Sequence, residues 1–128
     1  MHGPADDTIS AIIAKWSAAF SKLDAAALAS LYSKNAFFFG SKPSLFRGRD
    51  GVAAYFNALP RWSSPAVQFA ELVTAPVNAD LINFAATATF MVNEDATPLS
   101  VRISWVVVRE DGDWKIASHH VSSRTPLL

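Results

Sequence analysis

The segment 101–123, VRISWVVVREDGDWKIASHHVSS, contains two runs of β-forming residues on either side of an Asp-Gly pair. Alternating residue types predict a strand in each run, and Asp111-Gly112 is typical of a tight hairpin turn between them. Two adjacent histidines, His119 and His120, lie near the end of the second run. Successive side chains of a strand point to opposite faces, so the two imidazoles are expected on opposite faces of one sheet.

The same two-residue alternation recurs upstream of this hairpin and predicts a long antiparallel meander. Breaks at 78–79 and at 93–98 separate its strands from one another. The predicted strands are 66–77, 80–92, 99–110 and 114–123. Nearly the whole second half of the chain is therefore expected to be strand.

Helical spacing replaces this alternation in the first half of the chain. Apolar residues recur at three- and four-residue intervals over 6–22, and an Ala-rich second helix over 24–34 begins at an aspartate that can cap it. A third helix over 48–59 follows a short strand pair, 35–40 and 45–48. The order α-α-β-β-α-β-β-β-β predicts an α+β fold, with three N-terminal helices packed on one face of a curved, mainly antiparallel sheet.

The composition limits the classes of function. The chain has 128 residues, which suits one domain over 1–128, with residues 1–5 expected to be disordered. Lys and Arg (11) balance Asp and Glu (11), so no basic field is present that would attract nucleic acid. Cysteine is absent, which excludes disulfides and Cys-bound zinc.

Hydropathy adds two expectations. No apolar run reaches the ~18 residues of a membrane span, and the first residues lack the features of a signal peptide, so we expect a cytoplasmic protein with no membrane partner. Hydrophobic residues make up 51% of the chain and charged residues only 17%. This balance predicts an excess of apolar surface that a cavity or a partner subunit must cover.

Three segments together resemble the nuclear transport factor 2-like superfamily, a cone-shaped α+β fold that includes SnoaL-like cyclases, ketosteroid isomerases and the association domain of calcium/calmodulin-dependent kinase II. They are LDAAALASLYSKNAFFF (23–39), RGRDGVAAYF (47–56) and the hairpin segment 101–123. The hairpin segment is the most specific, because its Arg-x-Ser strand, Gly turn, Trp-x-Ile and His-x-Ser ending are similar to the small bacterial branch close to the kinase association domain. The resemblance implies a cavity between the helices and the sheet, and a homodimer through the outer face of the sheet.

The resemblance also implies which face each strand residue occupies. On the last strand it places His119 in the cavity and Ile116 on the outer face. The implied ligand pocket is Trp16, Tyr32, Phe38, Tyr55, Asn83, Thr87, Trp105 and His119. The implied dimer face is Phe84, Phe90, Arg102, Ser104, His120 and Ser122. The positions of the association domain's pocket arginines are Ala85, Trp105 and Val121 here, so the expected ligand is an uncharged, apolar or aromatic small molecule.

The residues that ketosteroid isomerases use are missing at the matching positions. Those enzymes use a tyrosine on the first helix, an aspartate base after the first strand and a protonated aspartate on a later strand. Here the corresponding residues are Trp16, Gly40 and Trp105, and an indole can only donate a hydrogen bond. No acidic residue lies between Asp24 and Asp50 to replace the base. Proton transfer beside a ketone by that route is therefore not expected.

His119 is the candidate catalytic residue. In an apolar cavity it could hydrogen-bond a ligand or act as an acid or base near neutral pH, and the alternative is a buried, neutral histidine bonded to a neighbour. Two histidines on opposite faces cannot bind one metal together, and no carboxylate lies at ligand spacing nearby. We therefore predict no metal and no cofactor.

Two functions remain open on these grounds. One is a small-molecule-binding cone, which could be an isomerase-, cyclase- or dehydratase-like enzyme. The other is a non-catalytic homo-oligomerisation module similar to the kinase association domain. An open interior of several hundred Å³ favours the first function, and a filled cone beneath an extensive subunit interface favours the second.

Overall fold

The computed structural model describes residues 3–93 and 97–128. Within these residues the order of elements is the predicted one. The helices and strands are α1 (Pro4–Ser21), α2 (Ala25–Ala29), β1 (Tyr32–Phe39), β2 (Phe46–Arg47), α3 (Gly48–Asn57), β3 (Ala66–Asn78), β4 (Leu81–Met91), β5 (Leu99–Glu110) and β6 (Asp113–Ser123). The α+β class is confirmed. The predicted disorder of residues 1–5 is wrong for Pro4 and Ala5, which open α1, while residues 1–2 lie outside the described residues.

The six described strands form one sheet in the order β2-β1-β6-β5-β4-β3. All neighbouring pairs are antiparallel except β1 and β6, which run parallel. The β5–β6 hairpin closes over Asp111 and Gly112, which both have positive φ, 52° and 85°. Positive φ costs glycine little, and aspartate tolerates it better than most residues, which explains why this dipeptide makes the turn.

The second helix is shorter than predicted. Asp24 caps it by accepting a hydrogen bond from the Ala27 amide at 3.0 Å, and it ends at Ala29. Tyr32 was expected on the helix but is the first residue of β1, where it pairs with Ile116 of β6. A tyrosine fits a half-buried pleated surface well, and pairing with β6 overrides the helical spacing.

The helices cover one face of the sheet, and the core lies between the two. Its largest fully buried side chains come from helices and strands alike: Trp16, Trp105, Tyr32, Phe38, Ile9, Leu28, Ile116, Val52 and Val107. Trp16 of α1 is at the centre, with its ring 5.4 Å from Phe20, 5.8 Å from Phe56 and 6.2 Å from Phe90. The interior is thus an aromatic cluster packed from both sides.

A β-bulge at Ala117 changes the phase of the last strand. Val107 pairs with Ile116, whereas Val106 pairs with Ser118, so Ala117 is the extra residue. Ile116 and His119 are three residues apart, yet both face the helices. The expected inward position of His119 is therefore correct, and the expected outward position of Ile116 is wrong.

The two faces of β4 are the reverse of those expected. Phe84 pairs with Trp105 of β5, so the two share the inner face, and Phe84 is buried. Phe90 likewise packs against Trp16. Asn83 and Thr87 face outward instead. The physical reason is that the more apolar face of the strand gains most by leaving water, and the polar face keeps its hydration on the outside.

Candidate functional site

His119 is at the centre of a small polar cluster within the aromatic core. Its Nδ1 lies 2.8 Å from the Tyr32 hydroxyl and accepts a hydrogen bond from Trp105 Nε1 at 3.0 Å. The Tyr32 hydroxyl in turn accepts a hydrogen bond from Trp16 Nε1 at 3.0 Å. The four side chains are each at most 3% exposed. Such a network is stable in an apolar interior only because its members satisfy one another.

Three elements around β6 hold the imidazole in place. Trp105 lies directly opposite His119 on β5, and Phe38 lies beside it on β1. The Phe38 ring stacks on the imidazole at 4.0 Å, and the Trp16 ring of α1 lies nearly parallel to it at 6.4 Å. The position and plane of the ring are therefore fixed by packing as well as by hydrogen bonds.

Burial sets the charge state of the cluster. Burial, with a smaller contribution from the neighbouring His120, lowers the pKa of His119 to about 3. Burial also raises the pKa of Tyr32 far above its usual value, against the opposite effect of the hydrogen bond from Trp16. Both groups are neutral at physiological pH. The expected role of His119 as an acid or base near neutral pH is therefore not supported, whereas hydrogen bonding by the neutral ring is.

Six of the eight predicted pocket residues come together in the structure. They are Trp16, Tyr32, Phe38, Tyr55, Trp105 and His119. Asn83 and Thr87 do not join them, because they lie on the outer face of β4. The six side chains fill the cone and are each at most 7% exposed. The expected open pocket is thus occupied by the residues that were expected to line it.

One nitrogen of the His119 imidazole, Nε2, makes no hydrogen bond to the described residues. Every side-chain N or O atom in those residues that is sealed from solvent does have a partner. Nε2 is therefore not sealed from solvent.

Tyr55 connects this cluster to the surface. Its ring lies 4.7 Å from Phe38, and its hydroxyl accepts a hydrogen bond from the Ser41 amide at 2.9 Å. Ser41 begins the exposed segment 41–45. Gly40, just before it, is closely packed, since an added Cβ would lie 2.6 Å from the Tyr55 ring. A continuous series of contacts thus leads from His119 to solvent.

Two open depressions lie elsewhere on the surface. One, of about 460 Å³, is lined by Lys34, Asn35, Ala36, Phe37, Arg47 and Gly48. The other, of about 280 Å³, is on the outer face of the sheet, and its lining includes Val73, Ala75, Asn83, Ala85, Ser104 and Val106. His119 lines neither of them. The outer depression exists because small side chains leave the sheet uncovered between larger neighbours.

Part of the predicted dimer face lies where it was expected. Arg102, Ser104 and His120 are exposed on the outer face and Ser122 is half-buried there. Phe84 and Phe90 were assigned to this face wrongly, as described above. The outer face nevertheless carries large apolar side chains that the sequence analysis did not assign: Phe37, Phe39, Val73 and Val77.

The hydrogen bonds of His119 are the main feature that sequence reasoning missed. Counting outward from the Asp-Gly turn pairs Trp105 with residue 118 in a regular hairpin, and the bulge moves the pairing to His119. The contact between Tyr32 and His119 joins residues 87 positions apart, which local periodicity cannot reveal.

The described residues lack a metal-ligand cluster and a membrane-spanning helix. They contain no group of three or more His, Cys, Asp or Glu side chains arranged to hold a metal ion. No helix among them combines the length and the hydropathy that crossing a bilayer requires.

Comparison with known proteins gives the family. The sequence model of the SnoaL-like domain matches residues 9–126. A search of curated proteins gave no match. Among solved structures, a putative calcium/calmodulin dependent protein kinase II association domain from Xanthomonas campestris superposes with a TM-score of 0.85 at 21% identity, covering 99% of this chain and 91% of that one.

Two other solved structures show the same fold. A nuclear transport factor 2-like protein of unknown function from Pseudomonas putida has a TM-score of 0.83 at 17% identity, covering 99% of this chain and 92% of that one. A putative scytalone dehydratase from Novosphingobium aromaticivorans has a TM-score of 0.80 at 14% identity, covering 93% and 83%. The family model spans nearly the whole chain, and the resemblance inferred from the sequence is confirmed: this chain belongs to the SnoaL-like domain family, within the nuclear transport factor 2-like superfamily.

Proposed function

We propose that this protein binds an uncharged, apolar or aromatic small molecule inside its cone, and that His119 makes the polar contact with it. The observation that carries the proposal is the buried cluster around His119. Ligand sites are mostly apolar and contain a few convergent polar groups, often with shifted pKa values. The cluster has these properties, and its Nε2 is not used by the described residues.

A reaction of the isomerase, cyclase or dehydratase type is compatible with this site. A neutral imidazole can polarise a carbonyl by donating a hydrogen bond, which stabilises negative charge developing on its oxygen. Membership of the SnoaL-like family supports a ligand-binding or enzymatic role. The fold neighbour from Novosphingobium aromaticivorans, a putative scytalone dehydratase, is in line with the dehydratase class.

A ligand must displace side chains to reach His119, because the cone is filled. The contacts through Phe38 and Tyr55 to Ser41 offer a route, since the segment 41–45 is exposed. Aromatic rings that swing outward would open space beside the imidazole. We infer that entry takes place at this end of the cone.

Mass spectrometry of the purified protein tests the proposal. Native spectra report any retained small molecule, and denaturing spectra release it for identification. We expect wild type and His120→Phe to carry an apolar compound, or to be stabilised thermally by members of a panel of aryl ketones and phenols, and His119→Phe to do neither. An empty wild-type protein that no member of the panel stabilises contradicts the proposal.

Homodimerisation through the outer face of the sheet is a second candidate function. Val73 is 64% exposed and Val77 57% exposed on this face, beside the 280 Å³ depression. Thr87 donates a hydrogen bond to Glu71 and pairs with Arg102 across the sheet, so a negative and a positive group lie close together. A second copy related by a two-fold axis can match such a face, because each charge meets its opposite.

Analytical ultracentrifugation distinguishes this second candidate. We expect a wild-type dimer and a dissociation constant at least roughly tenfold higher for Val73→Asp, since a carboxylate is costly to bury in an apolar interface. Leu127→Asp is the matched control, because Leu127 is 95% exposed near the end of the chain. A monomeric wild type, or the same mass distribution for both variants, argues against the interface.

A further inference from the structure

The two hydrogen bonds at Nδ1 determine where His119 carries its proton. Trp105 Nε1 lies 3.0 Å from Nδ1, and an indole N–H can only donate. Nδ1 must therefore be the unprotonated nitrogen. A neutral imidazole has one proton, so that proton is on Nε2.

Tyr32 reinforces this assignment. Trp16 Nε1 donates to the Tyr32 hydroxyl oxygen, which leaves the hydroxyl proton free to point at Nδ1, 2.8 Å away. The donors therefore run in one direction, from Trp16 through Tyr32 to His119, and Trp105 adds a second donor. Hydrogen bonds in such a chain polarise one another, which makes the far nitrogen of the imidazole a better donor.

Nε2–H is the end of this chain. It has no acceptor among the described residues, and it is not sealed from solvent. A group that contacts His119 from the accessible side thus meets a donor and cannot meet an acceptor. An acceptor oxygen of a ligand can satisfy this donor.

We propose that Trp105 and Tyr32 are positioning residues that hold the proton of His119 on Nε2, so that the site selects ligands by an uncharged acceptor, a carbonyl or ether oxygen. This inference rests on the proposed function, because it names the ligand class of the same site. An aryl ketone fits both the donor and the surrounding aromatic rings. A ligand with the same shape but no acceptor leaves Nε2–H unsatisfied, and a carboxylate must lose its hydration in an apolar interior.

Nitrogen-15 NMR of the labelled protein tests the positioning role without any ligand. We expect wild-type His119 to show the shift of an unprotonated nitrogen at Nδ1 and of a protonated nitrogen at Nε2, unchanged from pH 5 to pH 8. Trp105→Phe and Tyr32→Phe should each introduce a second tautomer. Trp114→Phe is the matched control, because Trp114 contacts Arg109 rather than the cluster. A proton on Nδ1 in wild type overturns the proposal even where a variant fails to fold.

Two probes of similar shape test the ligand class. Acetophenone has a carbonyl oxygen and ethylbenzene has none. We expect wild type to bind acetophenone roughly twofold to tenfold more tightly, the range that one net hydrogen bond contributes, with a shift of the His119 Nε2 signal. Trp105→Phe should lose most of this preference.

Each result of the titration has a definite meaning. Equal affinity for the two probes in wild type overturns selection by the acceptor. Binding of neither probe counts against the proposed function and against the ligand class together. The tautomer of His119 in the unliganded protein still decides the positioning role in that case, so the failure of one idea is distinguishable from the failure of the other.

Discussion

Acid should lower the free energy of unfolding of this protein because His119 is buried and neutral. Replacing His119 with a residue that does not titrate should remove this part of the pH dependence. The pKa of His119 is about 3 in the folded protein, against 6.5 for a free histidine. Between pH 6.5 and pH 3, His119 is therefore mostly protonated in the unfolded state and mostly neutral in the folded state. Stability from the neutral histidine is fully present above pH 6.5 and is lost as the pH falls toward 3.

The magnitude follows from the size of the shift. One pKa unit corresponds to about 1.4 kcal/mol, so each pH unit within this window should cost about that much free energy of unfolding. Between pH 6 and pH 4 the loss is about 2–3 kcal/mol. Urea denaturation at half-unit intervals from pH 4 to pH 7 measures it, with the free energy of unfolding extrapolated to water.

The variants isolate His119 from the carboxylates that titrate in the same range. His119→Gln keeps an acceptor for Trp105 and Tyr32 but does not titrate, so its stability should fall less steeply with acid than that of wild type. His120→Gln is the matched control and should follow wild type, since His120 is exposed. Glu110, whose pKa is lowered mainly by the hydrogen bond from Ser33, is common to all three proteins and cancels. Parallel curves for wild type and His119→Gln would refute the reasoning.

Three substitutions give further tests by urea denaturation. Gly40→Ala places a Cβ 2.6 Å from the Tyr55 ring and should cost about 1–3 kcal/mol, whereas Gly3→Ala meets open space and should change little; equal effects contradict the close approach. Asp24→Ala removes the cap of α2 and should cost about 1 kcal/mol, and an unchanged stability argues against the cap. Ile116→Ala should cost about 2–5 kcal/mol because Ile116 is fully buried. A loss under about 0.5 kcal/mol, as at a surface position, indicates that this residue faces outward.

Local patterns carried most of the fold. The Asp111-Gly112 turn, the helical spacing of the first segment and the two-residue alternation of the long strands all depend on neighbours in sequence, and the structure has each of these elements. The prediction of the second helix was wrong at Tyr32, because local spacing there favours a helix. Pairing with β6, which is distant in sequence, makes this residue part of a strand.

The two-residue alternation by itself did not assign the faces of β4. Its alternation is clear, but alternation alone does not say which face is inside. We expected Asn83 and Thr87 to provide polar points in a cavity and the apolar face to form a subunit contact. The register with β5, which brings Phe84 opposite Trp105, decides against it. The apolar face could have been assigned inward on hydrophobic burial alone.

The sequence predicted which residues belong to the hydrogen-bonded cluster, but not the hydrogen bonds between them. Trp16, Tyr32, Trp105 and His119 were each expected near the cavity, and each is buried there. Their mutual bonds depend on the register of β1 against β6 and on the bulge in the hairpin. Neither the register of β1 against β6 nor the bulge can be recognised from the local sequence.

The extra residue at Ala117 makes strand length, and not only residue type, decide which histidine is hidden. If β6 alternated regularly from the buried Ile116, position 118 and then His120 would face the core, and His119 would face solvent. Deleting Ala117 together with the bulge would keep His119 inside, because Ser118 would then follow Ile116 directly and the strand would alternate regularly. The bulge and the number of residues in β6 are therefore tied together, and a change in only one of them would bury His120 in place of His119.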